Sequence, residues 1–122
     1  MLKGEIPFEK VYEDELTVAF LDHKPLTKGH LLVITKEQID KLEDCSPELY
    51  AAVFSTVQKM SVLLTEKLKP LRLALVVHGL EVPHAHVHIA PLYTGKELHL
   101  AAKEREEVSH EDLRALAVSL GA

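Results

Sequence analysis

The stretch His84-Ala85-His86-Val87-His88-Ile89-Ala90-Pro91 decides how the rest of the chain is read. Histidine recurs at every second position, and Ala85, Val87 and Ile89 stand between. Side chains alternate across a β-strand, so this spacing predicts a strand from His84 to Leu92 with the three imidazoles on one face. Its apolar face fits a core packed under a helix. Exposed strand faces ordinarily carry Thr, Lys, Glu and Arg. A face made of one residue type that titrates near physiological pH points instead to chemistry.

Two chemistries compete for that face. Two histidines two positions apart can share a zinc ion. The outer pair of three cannot easily do so, because a rise of about 3.3 Å per residue sets them roughly 13 Å apart, while imidazole nitrogens bind zinc at about 2.0–2.1 Å. A metal site made of two of them with Glu81 or His30 stays open. The spacing favours the other chemistry, nucleophilic attack on phosphorus. A neutral imidazole attacks through an unprotonated nitrogen, while its other nitrogen donates to an acceptor that fixes the tautomer. A backbone carbonyl on the same strand can be that acceptor. The flanking histidines can donate to phosphate oxygens. No metal and no cofactor is called for.

Outward from this strand the chain alternates strands and helices. Ser46 is an N-cap with Pro47 at the first helical position, and Leu49, Val53, Val57, Met60, Leu64 and Leu68 recur at helical spacing up to Pro70. A second helix is predicted from Ser109 to about residue 120, with Asp112 completing a capping box, Leu113, Leu116, Ala117 and Leu120 as its stripe, and Gly121 ending it. A short helix is expected to start near Thr35, paired with Gln38. Strands are predicted near Glu9–Tyr12, over Leu16–Leu21, over His30–Ile34 and over Leu71–Val77, where Leu71, Leu73, Leu75 and Val77 alternate with Arg72, Ala74, Val76 and His78. The link from His78 to Pro83 is short enough for a hairpin. The order strands, helix, strands, helix predicts an α+β fold with an antiparallel sheet.

Composition agrees with one domain over residues 1–122. The chain has 122 residues, 47% hydrophobic and 27% charged, with a net charge of −5. That charge argues against binding a nucleic-acid backbone, which needs a basic stripe. No apolar run reaches the roughly eighteen residues of a membrane span. The N-terminal Met1-Leu2-Lys3-Gly4-Glu5-Ile6-Pro7 lacks the apolar core of a signal peptide, and Cys45 has no internal disulfide partner. A cytoplasmic protein without nucleic-acid or membrane partners is expected.

The histidine run and several blocks upstream resemble the histidine triad (HIT) superfamily, in its Hint-like, short bacterial branch. The blocks are Gly4-Glu5-Ile6-Pro7, Val11-Tyr12-Glu13-Asp14, Ala19-Phe20-Leu21-Asp22, Pro25, and Gly29-His30-Leu31-Leu32-Val33-Ile34. They follow the order and spacing of that superfamily over a core of about residues 3–92. The resemblance implies a five-stranded antiparallel sheet with two to three helices, paired into a homodimer with a continuous ten-stranded sheet. It implies hydrolysis or transfer at the α-phosphorus of a purine nucleotide, through a nucleotidyl-histidine intermediate and without metal. By matching positions, His86 is the expected nucleophile. His88 is the expected phosphate ligand that assists the leaving group, and His84 supplies the carbonyl that orients His86. His30 lines the phosphate site, Asp22 holds the ribose hydroxyls, and Phe20, Leu21 and His23 fall where the base pocket lies. Phe20 reads equally as core, and His23 as a turn residue. Glu81 stands where many members carry a hydroxyl near the leaving group, so it is a candidate proton donor or ligand for a cationic leaving group. The AMP-like substrate is expected to be a nucleoside phosphoramidate. The alternatives are a dinucleoside polyphosphate hydrolase and a nucleotide-binding or scaffolding protein with little catalysis.

Overall fold

A computed structural model describes residues 9–78, 83–98 and 107–121. Strands β1 (Lys10–Glu13), β2 (Thr17–Leu21) and β3 (Leu31–Thr35) precede helix α1 (Pro47–Leu68). Strands β4 (Arg72–Val76) and β5 (His86–Leu92) follow, and helix α2 (His110–Ser119) comes last. The strands form one antiparallel sheet in the order β1-β2-β3-β5-β4. The expected α+β, five-stranded sheet is present, with two α-helices among the described residues.

Helix α1 forms for the reasons its sequence carries. The Ser46 side chain accepts a hydrogen bond from the Leu49 N–H at 3.1 Å, satisfying one donor of the first turn, and Pro47 sits where no N–H is needed. Lys69 closes the helix in the left-handed region at φ 50°. Leu49, Val53, Val57, Met60 and Leu64 are buried, and the last four pack with Ala19, Leu31, Val33, Val87 and Ile89. Each such side chain removed from water contributes roughly 1.5–3 kcal/mol. The registers Leu32↔His88, Ile34↔His86 and Phe20↔Leu32 place His86 and His88 on the opposite face of the sheet. That face carries its own buried cluster of Val18, Phe20, Leu32 and Ile34. Phe20 is fully buried within it, so its packing as core is evident.

Two expectations are corrected. No helix starts at Thr35. This residue ends β3, with its side chain hydroxyl donating to the Glu37 carbonyl, and the chain makes only a 3-10 turn at Leu42–Asp44 before α1. Thr35 pairs with Thr17 across the sheet, and that ladder outcompetes a capping box made of neighbours in sequence. The triad strand starts at His86 rather than His84. The backbone ahead of it is drawn to the β3–α1 loop, where the Ala85 N–H donates to the Ile39 carbonyl at 2.6 Å. Helix α2 is capped by Ser109 as read, its side chain accepting from the Asp112 N–H at 3.1 Å. None of its residues is buried, so the stripe that predicted it stays uncovered in the single chain. Among the described residues no helix is long and apolar enough to cross a membrane.

Candidate active site

Three elements bring the predicted residues together. Strand β5 supplies His86 and His88, the residue just before β3 is His30, and the residue just after β2 is Asp22. The Asp22 N–H donates to the His30 carbonyl at 2.9 Å, which extends the β2–β3 pairing and fixes one beside the other. Gly29 makes the turn into β3 at φ 91°, a conformation that side chains resist. A Cβ there would also collide with Cδ1 of Leu68.

Hydrogen bonds dictate which nitrogen of each ring carries the proton. The Leu26 N–H donates to Nδ1 of His30 at 3.0 Å, so that nitrogen is a lone pair. Neutral His30 then carries its proton on Nε2, which donates to Nδ1 of His88 at 3.0 Å. His88 is left with its proton on Nε2. That atom is enclosed and has no partner among the described residues, a donor held ready for an acceptor. His86 is wired in the opposite sense. Its Nδ1–H donates to the His84 carbonyl at 2.6 Å, which in the neutral ring leaves the lone pair on Nε2. The site therefore sets one lone pair beside one N–H donor.

His84 works from outside the strand. Its ring is buried, and Nε2–H donates to the Thr35 carbonyl at 2.7 Å. This contact and the Ala85–Ile39 bond hold the His84 carbonyl in place for His86. The three imidazoles thus do not line one face, as the alternation alone predicted. His84 is turned into the wall of the site because the backbone before β5 leaves the strand conformation.

Burial governs the electrostatics. Desolvation, and next the neighbouring imidazole charges of His86, His30 and His78, push His88 down to about 4, against a weaker opposing pull from Asp22. Desolvation likewise lowers His30 below the ordinary histidine value, opposed by Asp22, whose Oδ2 lies 3.7 Å from Nε2. Both rings therefore stay neutral at pH 7, as the tautomer chain requires. The other Asp22 oxygen accepts from the Lys24 N–H at 2.9 Å. Leu21, Asp22 and His30 border a cleft of about 520 Å³ closed by residues 25–29. His23 is exposed beside it, with Nδ1 3.9 Å from Asp22. Glu81 lies outside the described residues.

One site residue was missed. His78 stacks on His88 with ring centroids 5.0 Å apart and 16° between planes, and meets His86 edge-on at 5.9 Å. The signal was present in the sequence. Arg72, Ala74, Val76 and His78 alternate, and the observed pairing Val76↔His88 continues to set His78 opposite His86. Without that register the alternation named no partner. Ring nitrogens of His78, His86 and His88 all lie within 4.8 Å of one another, as do donor atoms of Asp22, His30 and His88. In the tautomers above, His88 has no lone pair to give an ion: Nδ1 is engaged by His30 and Nε2 is protonated. Either set would bind a metal only by breaking the chain from Leu26.

Comparison with known proteins places this geometry in a family. The HIT domain matches residues 3–95. The protein hit of Bacillus subtilis is 38% identical over 98 residues, covering 76% of this chain and 68% of that protein. The adenosine 5'-monophosphoramidase hnt1 of Schizosaccharomyces pombe is 37% identical over 92 residues, 75% of this chain and 69% of its own length. The crystal structure of a HIT family member from Bacillus subtilis superposes with a TM-score of 0.83 at 35% identity, over 98% of this chain and 89% of that one. From the histidine run outward, by sequence and by fold, the chain belongs to the HIT domain family.

Proposed function

We propose that this protein is a nucleotide hydrolase or transferase that acts at the α-phosphorus of a purine nucleoside phosphoramidate or related nucleotide, with His86 as nucleophile. The observation that carries this reading is the opposed wiring of two adjacent rings. His86 offers a lone pair at Nε2 because Nδ1–H is held by the His84 carbonyl, and His88 offers an enclosed N–H. A phosphoryl group is the substrate that uses both, being electrophilic at phosphorus and an acceptor at oxygen. The phosphoramidase name of the fission yeast relative supports the substrate class.

In the proposed reaction Nε2 of His86 attacks phosphorus in line, and the leaving group departs with the bonding pair. His88 donates from Nε2 to a phosphoryl oxygen as charge builds there. Water then attacks the nucleotidyl-His86, the P–N bond breaks back to Nε2, and two inversions give net retention at phosphorus. Asp22 takes the ribose hydroxyls, His30 holds His88 in its donor tautomer, and Leu21 and His23 lie toward the base. Glu81 is assigned to the leaving-group side by its place in the sequence. Mass spectrometry of protein quenched during turnover of an adenosine phosphoramidate tests this, with an adenylyl adduct expected on His86. An active protein with no adduct, or an adduct on another residue, would sink the mechanism. Faster cleavage of a diadenosine polyphosphate would move the assignment to that substrate class, and nucleotide binding without turnover would leave a binding protein.

The proposal includes a homodimer with a continuous ten-stranded sheet. Strand β4 lies at the sheet edge, and Leu71 and Leu75 are 59% and 50% exposed. The stripe of α2 is equally uncovered. Sedimentation at micromolar concentration is expected to give twice the chain mass, and a monomer would remove the paired sheet.

A further inference from the structure

A phosphoramidate needs a proton on its leaving nitrogen, and the wiring of the site rules His88 out as its source. If His88 gave up the Nε2 proton, its ring could stay neutral only by drawing the proton from His30 onto Nδ1. His30 has none to replace it, because its own Nδ1 faces the backbone N–H of Leu26, which is not an acid. The relay ends at a peptide group. The doubly protonated form of His88 is also disfavoured, since its burial beside His86 and His30 holds it at about 4.

We propose that His78 is the general acid of the first step and the general base of the second, a catalytic role resting on the nucleotidyl-His86 reading. Its ring lies over His88 and edge-on to His86, and one of its nitrogens is within 4.8 Å of ring nitrogens of both. In the transition state of the first step, with phosphorus between Nε2 of His86 and the leaving atom, His78 serves that atom by a hydrogen bond or one bridging water. His78 is exposed and opens on a cleft of about 350 Å³ that it shares with His86, so it can exchange protons with solvent between steps. His86 and His88 from β5 meet its ring, and Asp40, Lys41 and Glu43 from the loop before α1 line the same cleft. Protons balance over the cycle. His78 gives one to the departing amine as the P–N bond breaks, then takes one from the water that attacks phosphorus.

Two adenosine 5'-phosphoryl substrates distinguish this role from a structural one: an alkylamine phosphoramidate, whose leaving group must be protonated, and a p-nitrophenyl ester, whose leaving group departs as an anion. His78→Phe keeps a stacked ring without a proton, and His78→Gln is a second variant in case one folds poorly. Both are expected to lose roughly 100-fold or more in kcat/KM on the alkylamine substrate and to change little on the ester. They are also expected to lose the alkaline fall in the amine pH profile. Equal loss on both substrates, or no loss on either, overturns the role while leaving His86 as nucleophile. A parent protein that cleaves neither substrate overturns the nucleophile reading and this inference together.

Discussion

The two faces of the sheet are built by the same strands and differ in what holds them. The α1 face is closed by shape: Val87 and Ile89 cluster with Val53, Val57 and Leu64, and every buried member of that cluster is apolar. The opposite face is closed by direction. His86 and His88, each one residue away from those core positions, are fixed by hydrogen bonds to the His84 carbonyl and to His30. A period of two lets neighbouring residues serve packing and chemistry separately. Substitutions on one face should therefore move stability, and on the other, activity.

The largest expected effect is at His86. His86→Ala removes the attacking nitrogen, and kcat/KM on a phosphoramidate is expected to fall by roughly 10³-fold or more with little change in melting temperature. A variant that melts much lower but keeps turnover would reverse the comparison. On the other face, three positions further along the strand, Ile89→Ala empties a fully buried site. It is expected to cost about 2–5 kcal/mol, read as a drop in the denaturation midpoint, with turnover per folded molecule retained. His30→Leu sharpens the contrast, because it removes the donor that sets the His88 tautomer. A loss of roughly 10–100-fold in kcat is expected, smaller than a triad suffers from a wholly wrong tautomer. Nitrogen chemical shifts of His88 should change from one tautomer to a mixture.

The histidine face also makes stability depend on pH. His88 is held near 4 in the folded protein, below the ordinary histidine value of 6.5. The unfolded chain takes up this proton as pH falls through 6.5 and the folded protein does not, so stability falls from pH 6.5 toward 4 and is unaffected by this group above that range. Melting temperatures measured across this window should show the fall, and His88→Gln should flatten it. The smallest effect lies far from either face. Lys69→Gly relieves a left-handed cap and is expected to stabilise by roughly 0.5–1 kcal/mol in denaturant unfolding.

Much of this was legible in one dimension, because it depends on local rules. Ser46-Pro47 and the apolar spacing that follows dictate α1, and alternation dictates which residues of β5 face it. The choice of His86 as nucleophile candidate, with the His84 carbonyl as its partner, came from the family resemblance, and local geometry offered only some neighbouring carbonyl on the strand. What needed the folded chain is whatever depends on register and on backbone partners from distant segments. Thr35 reads as a helix cap until its pairing with Thr17 is seen. His78 has no meaning as a site residue until β4 is aligned on β5. The tautomers of His30 and His88, and so the division between donor and nucleophile, hang on one amide of Leu26. Local sequence sets the direction of side chains within an element, whereas the position of one element against another is set by packing summed over the whole core.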